Sequence, residues 1–141
     1  MRDILDYLKA GRILVADGAT GTMLQAMGLP AGTPPEQWNT ARPDAIRAHH
    51  RAYLDAGSQI ILTNTFGGTR LKLERTARLG AQTGELNRAA AKLAKAEAAN
   101  QAYVAGDIGP TGELLDPLGV LTEEEAIDAF AEQALALAEG G

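Results

Sequence analysis

The chain has no cysteine among its 141 residues. That excludes disulfides, thiol catalysis and any zinc site built on its own thiolates. Histidine is nearly as scarce, with only His49 and His50. A self-contained transition-metal site is therefore not expected from sequence. Clustered positive charge is missing too. The net charge is −5 and the basic residues are scattered, which argues against a nucleic-acid surface. No apolar run approaches the ~20 residues that span a bilayer. The N-terminal stretch MRDILDYLKAGR mixes charged and apolar residues and has no signal-peptide core. The expectation is a cytoplasmic protein with no membrane or nucleic-acid partner.

What is present is the composition of one globular domain. Hydrophobic residues make up 45% and charged residues 22%. There is no internal repeat and no low-complexity linker. Short apolar runs alternate with longer helical stretches. Met1 to Ala10 is read as a short helix with Ile4, Leu5 and Leu8 on one side. Ile13 to Ala16 is read as a buried strand. Pro30 to Pro35, with three prolines and a glycine, interrupts regular structure.

A helix is expected from Pro43, since proline suits a first helical position and Asp44 favours that end of the dipole. Ile46, His50, Tyr53 and Leu54 share a face, and Gly57 supplies the stop. Gln59 to Thr63 is a second strand. Thr83 to Asn100 is an alanine-rich helix with Leu86, Ala90, Leu93 and Ala96 in register. Tyr103 to Ala105 is a third strand. A last helix starts at Thr122, where Thr122 and Glu125 have capping-box spacing. Its apolar face is expected at Ile127, Phe130, Ala134 and Leu137, with Gly140-Gly141 as terminator.

The order is β-α-β-α-β-α, which implies an α/β fold with parallel strands and right-handed crossovers. Each strand runs into a loop rich in Gly, Thr, Asp or Asn: DGATGT (17–22), TNTFGG (63–68) and GDIGPTG (106–112). The C-terminal ends of parallel strands are where such folds place their sites. The three loops are expected to converge on one face.

DGATGT lacks the GK[ST] ending of a phosphate loop, and its glycines are three apart rather than in G-x-G-x-x-G spacing. Asp17 can receive a ligand ammonium through charge-assisted hydrogen bonds, or cap a following turn. Asn64 can fix an amino acid's polar end or form an Asx turn. Trp38 can close a core edge or face a cation. Asp107 repeats the logic of Asp17. Phe66 is read as packing, the His49-His50 pair as structural or surface and away from the strand-end loops, and Glu123-Glu124-Glu125 as a helix-start charge cluster.

DGATGTMLQAMGL, PPEQWN, RPDAIRAHHRAYLDAGSQIILTNTFGGTRLKL and VAGDIGPTGELL occur in that order. Together they resemble the start of a homocysteine S-methyltransferase domain. GPTGELLDPLG and EEAIDAFAEQ are similar to bacterial betaine-type members in particular. The resemblance covers essentially the whole chain, residues 1–141. It implies a partial (β/α)8 TIM barrel, the first three βα units of a fold of ~250 residues. It also implies a zinc ion that holds homocysteine as thiolate for attack on a methyl donor, giving methionine. The family's zinc-binding cysteines, and a glutamate that helps hold the substrate amine, lie on later strands.

By resemblance, Asp17 and Gly18 meet the amino-acid end of homocysteine. Asn64 and Thr65 line the same pocket, and Asp107 joins them. Trp38 matches a tryptophan that contacts the quaternary ammonium of betaine, while Gly67 stands where animal enzymes carry a tyrosine of that cage. The chain is expected to be inactive alone. It would need a C-terminal barrel half or self-association as partner. The competing expectation is a non-catalytic assembly module that pairs through an open sheet edge.

Overall fold

The computed structural model describes residues 3–141. The first helix, α1 (Ile4–Lys9), is shorter than expected and is capped by Asp3, whose carboxylate accepts from the Leu5 amide at 2.8 Å. The expectation for Met1 and Arg2 lies outside the described residues. Two strands form, β1 (Ile60–Leu62) and β2 (Tyr103–Ala105). They pair in parallel, Ile60 opposite Tyr103 and Leu62 opposite Ala105. The parallel sheet is as expected from the alternation of apolar runs with helices.

Residues 13–16 do not form a buried strand. They run alongside β1 with a single parallel bridge, Ala16 to Ile60. Ile13 is 90% exposed and Val15 57%. The physical reason is coverage. The segment has β1 on one side only, and α1, its nearest sequence neighbour, buries no residue of its own.

The helices hold most of the core. α2 (Gly21–Ala26), α3 (Trp38–Ala41) and α5 (Arg70–Ala77) are additional to the elements expected from sequence. α4 (Pro43–Asp55), α6 (Thr83–Ala98) and α7 (Glu123–Gly140) stand where the periodicity put them. α4 begins at Pro43 and stops before Gly57, whose φ of +98° few other residues tolerate. α6 packs against α4 on one side and α7 on the other.

Alanine on α6 allows that closeness. Ala90, Ala91, Ala94 and Ala98 are buried, but Ala96, expected in the same register, is exposed. One cluster joins Leu24, Leu29, Trp38, Ala45, Ile46 and Leu93; another joins Ile61, Ala94, Ala98 and Ala102. Glu97 on α6 pairs with Arg51 at 2.7 Å and Arg47 at 3.2 Å on α4.

The buried face of α7 differs from the expected one. Ala126, Ala129, Gln133, Ala136 and Leu137 are buried, while Ile127 is 59% exposed and Phe130 and Ala134 face outward. Hydropathy favoured the larger side chains, but close approach to α6 selects the small ones. The capping box forms as read: Thr122 Oγ1 accepts from the Glu125 amide at 3.2 Å, and Glu125 accepts from the Thr122 amide at 2.9 Å.

Candidate functional site

The three loops that follow residue 16, β1 and β2 do converge. They border a cleft of about 550 Å³ whose wall includes Gly18, Thr20, Glu36, Asn64, Lys72 and Asp107. A cleft of this size fits a small ligand.

The loop after β1 is fixed by hydrogen bonds. Asn64 donates to the Pro35 carbonyl at 2.8 Å and to Asn39 Oδ1 at 2.8 Å. Asn39 in turn donates to the Asn64 carbonyl at 2.9 Å. Asn64 thus lies at the cleft wall with its amide nitrogen already engaged. Thr65 is buried beneath it, donating to the Asp107 carbonyl at 2.7 Å and sharing a 2.6 Å hydrogen bond with Thr63. Thr65 ties the loops together rather than facing the cleft.

Under this floor lies a buried amide network. Gln133 of α7 donates to the Thr65 carbonyl at 2.8 Å and to Asn87 Oδ1 at 3.0 Å. Asn87 of α6 donates to the Gly68 carbonyl at 2.8 Å. A Cβ on Gly68 would stand 2.6 Å from Asn87 Oδ1 and 2.8 Å from the Thr65 carbonyl. Only glycine fits that position.

Two carboxylates, Glu36 and Asp107, and one ammonium, Lys72, are the charged groups of the cleft wall. Burial raises the Asp107 carboxyl above its ordinary range. Glu36 is buried in the Pro-rich segment, accepts from the Gly67 amide at 2.6 Å, and is also raised, chiefly by burial. Lys72 sits across from it and partly offsets this. The sequence reading did not single out Glu36 or Lys72. The available signal was an acid between Pro35 and Trp38, which in a breaker-rich segment looked like ordinary surface.

Asp17 is turned away from the cleft wall. Its Oδ2 accepts from the Leu62 amide at 2.9 Å. Its Oδ1 is shielded and has no hydrogen-bond partner. Burial raises its pKa first, the Leu62 amide opposes this, and the charge of Asp107 adds to the rise. Gly18 does reach the cleft, and its backbone passes close to Tyr53, whose hydroxyl would lie 3.3 Å from an added Cβ.

His49 and His50 are not remote from the loops. Both are fully buried on α4, with one ring atom of each near the Asp17 carboxylate. Burial lowers both imidazoles, His50 to about 4, with His49 adding to that fall. The sequence could not show this. It depends on which face of α4 turns toward residue 17.

Trp38 is also placed differently from the expectation that it faces a ligand cation. It is buried in the core with Leu24 and Ile46, and its partner is the Arg42 guanidinium, 5.0 Å from the ring centre. It does not line the cleft. The bland packing role wins because the short α3 turns the indole inward.

Residues 14–141 match the homocysteine S-methyltransferase family. The chain belongs to that family. It is 35% identical over 152 residues to a methionine synthase of Mycobacterium tuberculosis, covering 99% of this chain and 12% of that protein. It is 35% identical over 136 residues to betaine–homocysteine S-methyltransferase 1 of Danio rerio, covering 94% and 33%. The fold is similar to the homocysteine methyltransferase MmuM of Escherichia coli in its oxidised form: TM-score 0.75, 26% identity, 99% of this chain and 54% of that one. The metallated form of that enzyme superposes with a TM-score of 0.79 at 23% identity, a likeness of fold. The chain thus spans between an eighth and about half of the relatives it matches. No helix among the described residues is long and apolar enough to cross a membrane.

Proposed function

We propose that this chain is the N-terminal portion of a homocysteine S-methyltransferase, the first three βα units of a (β/α)8 barrel. In this reading it supplies the amino-acid-binding side of an enzyme that moves a methyl group to homocysteine sulfur. The observation that carries this is the convergence of the three strand-end loops on one cleft that holds Glu36, Asp107 and Lys72. Asp107 receives the homocysteine ammonium, with Glu36 adding to the negative field. Lys72 is placed for the carboxylate, and Gly18 lets the ligand approach the main chain. Asp17 shapes this wall from behind through Leu62. Betaine is the donor suggested by the Danio rerio relative's name.

The family's thiolate-held zinc does not fit the donors of this chain, which has no cysteine. No step on sulfur is assigned to these residues. Their part is binding and orientation, and the chain alone is inactive.

The test is calorimetry with homocysteine and assay of methionine formation. Both are run on this chain alone and mixed with a cysteine-bearing C-terminal half plus zinc. Methionine is expected only from the mixture, and Asp107→Asn in the mixture should raise the homocysteine KM at least ~10-fold. No product from a folded mixture sinks the enzymatic reading. An unchanged KM in Asp107→Asn removes Asp107 from it.

A second reading is an assembly module. Ile127 and Leu135 on α7 are 59% and 65% exposed, and no third strand pairs beyond β2 among the described residues. A homodimer that binds no amino acid would favour it.

A further inference from the structure

We propose that Tyr53 and His49 on α4 are positioning residues of the amino-acid subsite. They clamp residues 17–20 in the shape that receives the ligand, and so set homocysteine affinity rather than turnover. The inference rests on the proposed function, since it needs the cleft to take homocysteine. His49 and Tyr53 are one helical turn apart on α4, so they share a face, and that face meets the loop. The Tyr53 hydroxyl donates to the Ala19 carbonyl at 2.9 Å. Thr20 Oγ1 lies 3.3 Å from His49 Nε2. The two rings meet edge to face with centroids 5.2 Å apart, so each braces the other.

The clamp acts on residues that reach the ligand. Gly18 and Thr20 both line the cleft. Gly18 rests on the Tyr53 ring: an added Cβ would lie 3.3 Å from the hydroxyl and 3.6 Å from Cε1. Drawing the Ala19 carbonyl toward α4 also orients its peptide. The peptide plane is rigid and trans, so the Thr20 N–H points the opposite way, away from α4.

The rest of the loop offers little to replace these contacts. Its first residue is tied to β1: the Asp17 amide donates to the Ile60 carbonyl at 2.9 Å, and the Asp17 carboxylate accepts from the Leu62 amide at 2.9 Å. Its last carbonyl, of Thr20, accepts from the Leu24 amide at 3.0 Å. Between them, among the described residues, Gly18 and Ala19 make no backbone-to-backbone hydrogen bond. His49 is fully buried but Tyr53 is only half-buried, so the phenol oxygen can be removed without opening the core.

Backbone amide exchange reads the clamp without ligand or turnover. Tyr53→Phe keeps the ring and loses only the hydroxyl. In this chain alone, the amides of residues 18–22 should then exchange at least ~3-fold faster. Those of Ala90 to Ala94 on α6, which report wider opening, should not change. His49→Leu should act likewise, and His49→Gln, which keeps polar groups for Thr20, should restore part of the protection. In the mixture with the C-terminal half and zinc, Tyr53→Phe should raise the homocysteine KM at least ~3-fold and leave kcat unchanged. Unchanged loop exchange in a folded Tyr53→Phe overturns the clamp. Faster exchange with an unchanged KM overturns the positioning role and leaves a tie that only supports the fold. A parent mixture that forms no methionine is a failure of the proposed function and not of the clamp, which the exchange rates then decide alone.

Discussion

The Gly67 amide donates to the Glu36 carboxylate at 2.6 Å, clipping the Pro-rich segment onto the loop after β1. The bond satisfies the amide but holds an acid in a buried place, and burial raises the Glu36 pKa above 4.5. The folded state therefore keeps this proton to higher pH than the unfolded chain does. As pH rises from 4.5 through the folded value, the unfolded state releases its proton first, so stability falls across that window and stays lowered above it.

Glu36→Gln keeps an acceptor for Gly67 and removes the charge. The variant should be more stable than the parent at pH 7 and nearly equal to it at pH 4, as read by urea unfolding at both values. A variant less stable at pH 7 would mean that the charge-assisted bond outweighs desolvation.

Gly68→Ala should lower stability by about 1–3 kcal/mol, because the added methyl meets Asn87, Gln133 and the Thr65 carbonyl together. Those contacts come from three separate elements, so no single side chain can move aside. An unchanged denaturation midpoint would show that the amide network yields.

Trp38 is the only tryptophan, so fluorescence reports its surroundings alone. Emission should be blue-shifted, as for a buried indole, and should not change when betaine is added. Saturable quenching by betaine would instead place the ring at a ligand.

Thr122→Ala should cost about 1 kcal/mol through loss of the capping box, and Thr122→Ser should recover most of it. Thermal unfolding of the three proteins is sufficient. Equal midpoints would mean that α7 is held by packing with α6 alone.

The sequence was most legible where a local rule sufficed. Thr122 with Glu125, Pro43 with Gly57, and Tyr103 to Ala105 are decided by residues within one element, and the structure places each where it was expected. It was misleading where a tertiary neighbour decides. Ile13 and Ile127 are apolar and were read as buried, but nothing in the described residues covers them. Gln133 is polar and buried, because two loops and α6 bring it partners. The loops converge as expected, yet Asp17 and Thr65 turn away from the cleft through contacts more than forty residues distant, with Leu62 and Asp107, and Trp38 turns into the core with Leu24 and Ile46.

β1 is the middle of three extended segments, joined to Ala16 before it and to β2 after it. Each partner lies more than forty residues away along the chain. Closing two long loops before either pairing is rewarded makes assembly slow, and it leaves Ile60–Leu62 waiting unpaired while the local helices form early. Refolding should therefore show helical signal well ahead of Ile61 burial, with the short apolar strand as the segment most exposed to aggregation in the interval.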